Sequence, residues 1–473
     1  MDFTLDTGNT AWILISAALV FLMTPGLAFF YGGMARGKSV LNMMMMSFSA
    51  IGIVGVVWSL WGYSLAFGSS QAGGLFGNPL EFFGLHITDG QGPTAGSGIP
   101  VMVWIAFQAT FAIITVALIS GAIADRVKFS TWCVFALVWV TVVYAPMAHQ
   151  VWGGGMLGDS GWVARILSTP IDFAGGTVVH INAGAAALAL ILLIGKRKGF
   201  GTEAMRPHNL PFVMLGAGLL WFGWFGFNGG SALAADAVAG RGWENTLIAP
   251  AAAMLTWLVT ERIRDGHATS LGAASGVVAG LVAITPAAGT VTTYGALAIG
   301  GVAGVVCALA IGLKYTLGYD DSLDVVGVHL VGGLVGTVLI GFFATDGVFG
   351  SWYADGARDG LFYGGGWTQL GTQTLVAVIA VVWSFCLTYA IGWVLGKTMG
   401  WRISTPAEVA GIDLAEHGET AYDSMGSMGS LGPLSGLSMS SMNFSGLTGS
   451  LSGGLGGLSS TLASTPSTPD TGR

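Results

Sequence analysis

The sequence predicts an all-α integral membrane protein with eleven transmembrane helices. Of its 473 residues, 53% are hydrophobic and only 9% are charged, whereas a soluble domain is typically about 25% charged. Apolar stretches recur along the chain, most of them near or above the ~20 residues that a spanning helix needs, and none contains Asp, Glu, Lys or Arg. The predicted spans cover residues 11–33, 39–67, 99–124, 129–148, 174–195, 209–233, 246–260, 268–285, 291–313, 325–345 and 368–396.

The basic residues between these spans predict the orientation of the chain. Thirteen Lys and Arg side chains fall in the loops of one side and the tail that follows the last span, whereas only Arg165, Arg241 and Arg358 fall in the loops of the other side. Basic residues are enriched on the cytoplasmic side of a membrane, and an odd number of spans puts the two termini on opposite sides. We therefore expect a multi-pass protein of the cell membrane, with the N-terminus outside and the C-terminus in the cytoplasm.

A weak internal repeat divides the first ten spans into two five-helix halves. Span 1 carries the segment 30–33 (Phe-Tyr-Gly-Gly), span 6 carries the segment 227–230 (Phe-Asn-Gly-Gly), and spans 5 and 10 each carry one histidine. Five is an odd number, so the two halves enter the membrane from opposite sides. This is the pattern of an inverted repeat, which places a substrate site at the interface of the halves near the membrane midplane. The eleventh span is then one extra helix.

Two histidines, His180 and His329, lie inside these otherwise uncharged spans. Ionisable side chains in a membrane are costly and usually mark a substrate or proton path, although each histidine could instead only hydrogen-bond a neighbouring helix. The helices around them are rich in Gly and Ala, which predicts close packing and a narrow path. A neutral imidazole pair that shares a proton offers both a donor and an acceptor. The two motifs are Asp172-Phe173-Ala174-Gly175-Gly176-Thr177-Val178-Val179-His180 and Asp324-Val325-Val326-Gly327-Val328-His329.

Aromatic residues gather at the predicted outer end of span 6. Trp224, Phe227 and Ser231 share one face of that helix. Aromatic rings near a membrane boundary most often form an interfacial belt. The alternative is an outer vestibule, in which ring faces attract a small cation and a hydroxyl accepts a hydrogen bond from it.

Other residues are expected at the same vestibule. Phe107 and Phe111 in span 3 supply a second pair of rings one turn apart, with Gln108 beside them, and Trp152 follows span 4 closely enough to close the vestibule. Asp172, at the outer start of span 5, is a candidate helix cap. Its carboxylate would also raise the local concentration of cations, so we expect it to act through structure and field more than through direct contact.

Three regions are predicted along the chain. Residues 1–396 form the transmembrane domain, residues 397–424 form a polar cytoplasmic tail, and residues 425–473 are a low-complexity extension of Ser, Gly, Leu and Met that is typical of disorder. The sequence contains no phosphate-binding Walker loop, no GxSxG or HExxH motif and no basic patch with interleaved aromatics. We therefore expect a protein that is not an enzyme, with no cofactor, no metal and no nucleic-acid partner.

The motifs resemble those of the ammonium transporter (Amt/Mep/Rh) family, and of its bacterial Amt branch in particular. The resemblance covers residues 5–424. It rests on the two histidine motifs and on the segments 207–211 (Pro-His-Asn-Leu-Pro) and 223–228 (Gly-Trp-Phe-Gly-Phe-Asn). By this resemblance the protein takes up ammonium, with methylammonium as an analogue.

The resemblance also implies roles for individual residues. His180 and His329 would line the pore, and Phe111 and Phe227 would form its outer gate. An ammonium-binding site would contain Trp152, Phe107 and Ser231, with Asp172 as the supporting acid; Gln108 and Trp224 would lie beside the path.

The resemblance further implies an assembly. It predicts a homotrimer with one pore per subunit, and a tail, residues 417–423 included, that contacts a cytoplasmic signal protein of the PII type.

Several functions remain open at this point. The protein could conduct NH3 after deprotonating NH4+, with or without a proton relayed separately through the histidines, so electrogenic and electroneutral transport are both possible. An electroneutral gas channel of the Rh type is the nearest alternative, although Trp152 and Ser231 favour a mouth that recruits a cation. A sensor that binds ammonium without transporting it, and a haem protein with the histidines as axial ligands, are the remaining alternatives.

Overall fold

Long apolar helices make up almost all of the fold. The computed structural model describes residues 3–89, 97–347, 350 and 352–422. In that part of the chain the only sheet is a hairpin of two short antiparallel strands, β1 (Ser70–Gln71) and β2 (Phe76–Gly77), so the predicted all-α class is confirmed. The long helices are α1 (Thr7–Met34), α2 (Val40–Phe67), α3 (Val101–Ile123), α4 (Phe129–Trp152), α5 (Gly176–Ile194), α6 (Leu210–Gly230), α7 (Ala237–Asp265), α8 (Ser270–Ala287), α9 (Thr293–Leu317), α10 (Val326–Phe343) and α11 (Thr368–Thr398).

Ten of these helices, all except α7, are long and apolar enough to cross a membrane among the described residues. The seventh predicted span, residues 246–260, lies within the helix α7, whose polar ends include Glu244 and Glu261. Only a short apolar centre separates these ends, which is why the helix is not among the candidate spans. The membrane crossing of the seventh span, and with it the eleventh transmembrane helix, is therefore not confirmed.

The helices α1 and α6, the first of each predicted half, pack closely against each other. A Cβ placed on Gly216 would lie 2.3 Å from the backbone nitrogen of Phe30, and one on Gly226 would lie 2.6 Å from the Cβ of Leu19. Residues later in α6 therefore contact residues earlier in α1, so the two helices run antiparallel. Small residues permit this close approach between membrane helices.

The helices α5 and α10, which carry the histidines, also cross in opposite directions. A Cβ on Gly184 would lie 2.4 Å from the backbone nitrogen of Leu330, and one on Gly333 would lie 3.1 Å from the Cβ of His180. Both helices begin with a widened π-helical turn that contains the histidine, Gly176–Ile181 in α5 and Val326–Leu330 in α10. Such turns are rare in proteins and occur frequently at functional sites.

Ion pairs buried at one end of the bundle join the loops there; we call this the basic end. Arg197 contacts Asp320 at 2.8 Å and Asp125 at 3.2 Å, and Asp125 also contacts Arg36 at 3.0 Å. Arg126 is fully buried and donates a hydrogen bond to the Asp320 carbonyl at 2.7 Å. Paired charges of this kind are stable out of water only when their hydrogen bonds are satisfied.

The tail that follows α11 packs against the same end through its acidic residues. Asp413 accepts hydrogen bonds from the backbone amides of Leu41 and Asn42, in the first turn of α2, at 3.0 and 2.8 Å. Glu416 accepts one from the first amide of α4 at 2.8 Å, and Glu408 accepts one from Lys198 at 2.6 Å. Carboxylates are favourable at helix N-termini because the first amides there have no partner within the helix.

Within the predicted tail, residues 397–424, the described part ends at Tyr422. It contains two short helices, Thr405–Ala410 and Ile412–His417. The predicted disordered extension, residues 425–473, lies outside the described residues.

Candidate functional site

A large cavity opens at the end of the bundle opposite the basic end. We call this the aromatic end and the cavity the vestibule. Its volume is about 550 Å³. Six of the residues predicted for the site line it together, although they come from different parts of the chain: Phe107, Gln108, Phe111, Trp152, Asp172 and Ser231.

Two stacked rings form the floor of the vestibule. The rings of Phe111 and Phe227 have centroids 4.1 Å apart and planes inclined by 27°, and both side chains are buried. Phe111 lines the vestibule, whereas Phe227 lines a second cavity deeper in the bundle. The pair therefore separates the two cavities, which is the position expected of a gate.

The deeper cavity holds the two histidines and has a volume of about 10 Å³. The Nδ1 atoms of His180 and His329 lie 3.4 Å apart, so one ring donates its Nδ1–H and the other accepts. The ring centroids are 5.5 Å apart and the planes differ by only 18°. Apart from the histidines, the lining is made of Met, Leu, Ile, Val, Phe and Trp side chains.

Trp224 fixes the orientation of His180. The two rings stack with centroids 5.5 Å apart and planes inclined by 19°. The Trp224 Nε1–H donates a hydrogen bond to Thr285 Oγ1 at 2.8 Å, which holds the indole in place. The Nε2 atom of His180 is buried without a hydrogen-bond partner among the described residues, and the residue lines the deeper cavity.

The carboxylate of Asp172 holds the start of α5. It accepts hydrogen bonds from the backbone amides of Gly175, Gly176 and Thr177 at 2.9, 2.6 and 2.9 Å, and one from the Thr177 hydroxyl. Gly175 has a φ of +118°, a conformation that favours glycine. Burial raises the pKa of Asp172, while these hydrogen bonds lower it in part. Both carboxylate oxygens are thus occupied, in agreement with the expected structural role.

Two of the residues predicted to bind ammonium are oriented by contacts to the backbone, and a third by a neighbouring ring. Trp152 donates its Nε1–H to the Asp172 carbonyl at 3.0 Å. Ser231 donates its hydroxyl to the Phe227 carbonyl at 2.8 Å, which leaves its oxygen free to accept. Phe107 packs edge-on against Phe111, with centroids 4.8 Å apart. Ring faces and an acceptor therefore border the same open cavity.

The structure reveals a residue that the sequence interpretation missed at the second histidine helix. Asp321, not Asp324, accepts hydrogen bonds from the amides of Val325 and Val326 at 3.0 and 2.7 Å. Asp324 instead contacts Lys314 at 2.6 Å. Asp172 and Asp321 each precede a histidine by eight residues, and this equal spacing was the signal that could have identified Asp321.

A third small cavity continues from the histidines toward the basic end. It has a volume of about 10 Å³, and its lining includes His329, Tyr31 and Asp324. The vestibule, the deeper cavity and this cavity thus follow one another along the bundle, with Phe111 and Phe227 between the first two and His329 shared by the last two.

Comparisons with known proteins agree on one family. The model of the Ammonium Transporter Family matches residues 11–422. A Mycobacterium bovis protein named Ammonium transporter is 56% identical over 435 residues, which is 88% of this chain and 91% of the relative.

Solved structures match the fold as well. The crystal structure of Saccharomyces cerevisiae Mep2 has a TM-score of 0.77 and 35% identity, covering 86% of this chain and 92% of that one. A structure described as a Sensor Amt Protein has a TM-score of 0.76 and 30% identity, covering 87% of this chain and 98% of that one.

Proposed function

The chain belongs to the ammonium transporter family, and on that premise we propose that it binds NH4+ in the vestibule, deprotonates it at the phenylalanine gate and conducts NH3 past the histidine pair. The direction we propose is inward, with the aromatic end outside and the basic end in the cytoplasm. The distribution of Lys and Arg supports this orientation.

Binding of the cation in the vestibule is supported by the chemistry of its lining. The rings of Trp152 and Phe107 line the vestibule, and the quadrupole of an aromatic ring attracts a cation over its face by about 0.5–2 kcal/mol. The Ser231 oxygen can accept one N–H from the ammonium ion. The vestibule, at about 550 Å³, is large enough for the ion to keep part of its water.

Deprotonation follows from the size and polarity of the next cavity. At about 10 Å³ it has no room for the hydration shell, and an isolated charge in an apolar medium costs on the order of tens of kcal/mol. A neutral ammonia molecule avoids this cost, and it still finds hydrogen-bond partners in the imidazole nitrogens of His180 and His329. A cation that cannot lose a proton has no such alternative.

The released proton has two possible routes. It either returns to the vestibule or crosses through the contact between the two Nδ1 atoms, 3.4 Å apart. The second route makes transport electrogenic and the first makes it electroneutral. Current recording on a solid-supported membrane after an ammonium pulse distinguishes them.

We also propose a homotrimer with one pore per subunit and regulation by a cytoplasmic protein of the PII type. The tail supports the second proposal, because residues 401–422 pack at the basic end, where Asp413 and Glu416 hold the starts of α2 and α4. A partner that binds this tail would therefore act directly on the loops around the proposed exit.

The single observation that carries the proposal is the histidine pair in a narrow, apolar cavity beneath a stacked aromatic gate. We expect His180→Ala to abolish selective uptake of methylammonium into proteoliposomes, because the deeper cavity then loses one of the two histidines that form the polar part of its lining. The matched control is His267→Ala, which removes an exposed histidine. Saturable, potassium-resistant uptake by a folded His180→Ala protein would show that this assignment is wrong.

A sensor without transport is a second candidate, since one similar structure is described as a Sensor Amt Protein. It predicts saturable ammonium binding to the wild type but no flux in proteoliposomes. An Rh-type gas channel predicts flux that does not saturate at a cation site, and Trp152→Leu would then leave the concentration dependence unchanged. Haem ligation is disfavoured by geometry, because a cavity of about 10 Å³ does not accommodate a macrocycle between His180 and His329.

A further inference from the structure

The charges that line the vestibule are all acidic. Among the described residues of its lining, only Asp159 and Asp172 carry a charge, and no Lys or Arg contributes. The carboxylate of Asp172 is buried and occupied by backbone amides. Asp159 is therefore the remaining acid whose charge is free to act on an ion in the cavity.

A tight turn holds Asp159 at the mouth of the vestibule. The amide of Gly161 donates to the Gly158 carbonyl at 2.9 Å, which places Asp159 at the first corner of a β-turn. Its side chain is exposed, and no ion pair forms with it in the described part of the chain. The nearest base in sequence, Arg165, donates instead to the Gly161 carbonyl at 3.3 Å.

A second acid lies close to this turn. Although the side chain is exposed, the neighbouring cavity wall removes part of the hydration of its carboxylate, and this loss and the negative charge of Asp355 both raise the pKa of Asp159. Asp355 follows Trp352, whose side chain also lines the vestibule and packs near Phe173 with centroids 5.7 Å apart. Two separate loops thus bring negative charge to the same entrance.

We propose that Asp159 is an ion-recruiting residue of this protein: its carboxylate concentrates ammonium at the mouth of the vestibule before the ion reaches Trp152, Phe107 and Ser231. This inference rests on the proposed function and adds a recruitment step before it. Asp159 attracts the ion through its electric field and does not contact the deprotonation site. Its charge should therefore lower the half-saturating concentration of ammonium and leave the maximal transport rate unchanged.

The test is saturable methylammonium uptake by proteoliposomes at two ionic strengths. The Debye length, over which an exposed charge acts, is about 30 Å at an ionic strength of 0.01 M and about 8 Å at 0.15 M. We expect Asp159→Asn to raise the half-saturating concentration about two- to fivefold at low salt. At high salt the difference from the wild type should nearly vanish, and the maximal rate should be unchanged under both conditions.

Two further variants separate recruitment from a structural role of the turn. Asp159→Glu keeps the charge and should behave like the wild type. Glu203→Gln removes one exposed negative charge from the loop between α5 and α6 and should have no effect at either ionic strength. The inference is overturned if Asp159→Asn matches the wild type at low salt, or if its effect is equal at both salt concentrations. If the wild type itself shows no uptake, the proposed function fails instead.

Discussion

The segments Asp172–His180 and Asp321–His329 use the same local structure at opposite ends of the bundle. In each, a buried carboxylate binds the first amides of a helix, and a π-helical turn presents a histidine eight residues later. The surroundings differ. Asp172 borders an open vestibule lined by rings and acids, whereas Asp321 lies next to the ion pairs of the basic end.

This difference agrees with the distinct roles proposed for the two ends. The aromatic end is open, acidic and rich in ring faces, which suits the recruitment of a cation. The basic end carries buried arginine–aspartate pairs and the acidic tail, next to a cavity of about 490 Å³ that is lined by Lys314 and Asp324, which suits control of an exit. Both segments use the same carboxylate-held helix start, and the two histidines meet in the middle of the bundle. The difference between the two ends therefore comes from the residues around each segment and not from the segment itself.

The largest effect on stability is expected when the basic end loses Arg197. Its guanidinium contacts Asp320 and Asp125 in a buried site, and together with Arg126 it holds the pKa of Asp320 below its usual value although burial raises it. Removing one partner leaves the carboxylates buried without their main cation. We expect Arg197→Ala to lower the free energy of unfolding by about 3–5 kcal/mol.

The matched control for this prediction is at the aromatic end. Arg165→Ala removes an exposed arginine whose side chain contacts one carbonyl, and it should change stability by no more than about 0.5 kcal/mol. Both values can be measured by reversible unfolding in mixed detergent micelles. Equal effects of the two substitutions would remove the proposed contrast between the ends.

A smaller, pH-dependent effect is expected at Asp321. Burial and the neighbouring Asp324 raise the pKa of Asp321 to about 6. A carboxyl group whose pKa is higher in the folded state stabilises that state while it is protonated, and this contribution is lost as the pH rises from the unfolded to the folded pKa. The stability of the wild type relative to Asp321→Asn should therefore be greater at pH ~4.5 than at pH ~7, by about 1.4 kcal/mol for each unit of pKa shift.

The measurement is the melting temperature of both proteins across this range. The variant Asp320→Asn is a useful comparison, because the pKa of Asp320 is lowered: the stability of the wild type relative to this variant should stay nearly constant over this range and fall only below about pH 4. An unchanged difference between the wild type and Asp321→Asn across the range would show that Asp321 titrates as in an unfolded chain.

Much of the fold followed from the sequence because uncharged stretches of membrane length are hard to mistake for anything else. The two histidines could be recognised as candidate site residues for the same reason, since few ionisable side chains are tolerated inside membrane-spanning segments. The seventh predicted span was less certain, because Glu244 and Asn245 on one side and Glu261 on the other leave little apolar length.

Residues whose role depends on tertiary contacts were harder to find. Asp321 was overlooked because Asp324 stands nearer to His329, and only the hydrogen bonds show which carboxylate holds the helix start. Asp159 and Trp352 lie in polar loops without periodicity, so nothing in the sequence indicates that they line the vestibule. Local pattern predicts helices and their ends, whereas the meeting of distant loops depends on packing.

The central claim is that the cargo enters as a cation and crosses the histidine cavity as a neutral molecule. Its most direct test compares uptake of methylammonium with uptake of Rb⁺, a cation that cannot lose a proton, in the same proteoliposomes. The account predicts methylammonium uptake together with Rb⁺ uptake no higher than in protein-free vesicles. Entry of Rb⁺ at a rate comparable to that of methylammonium would contradict it.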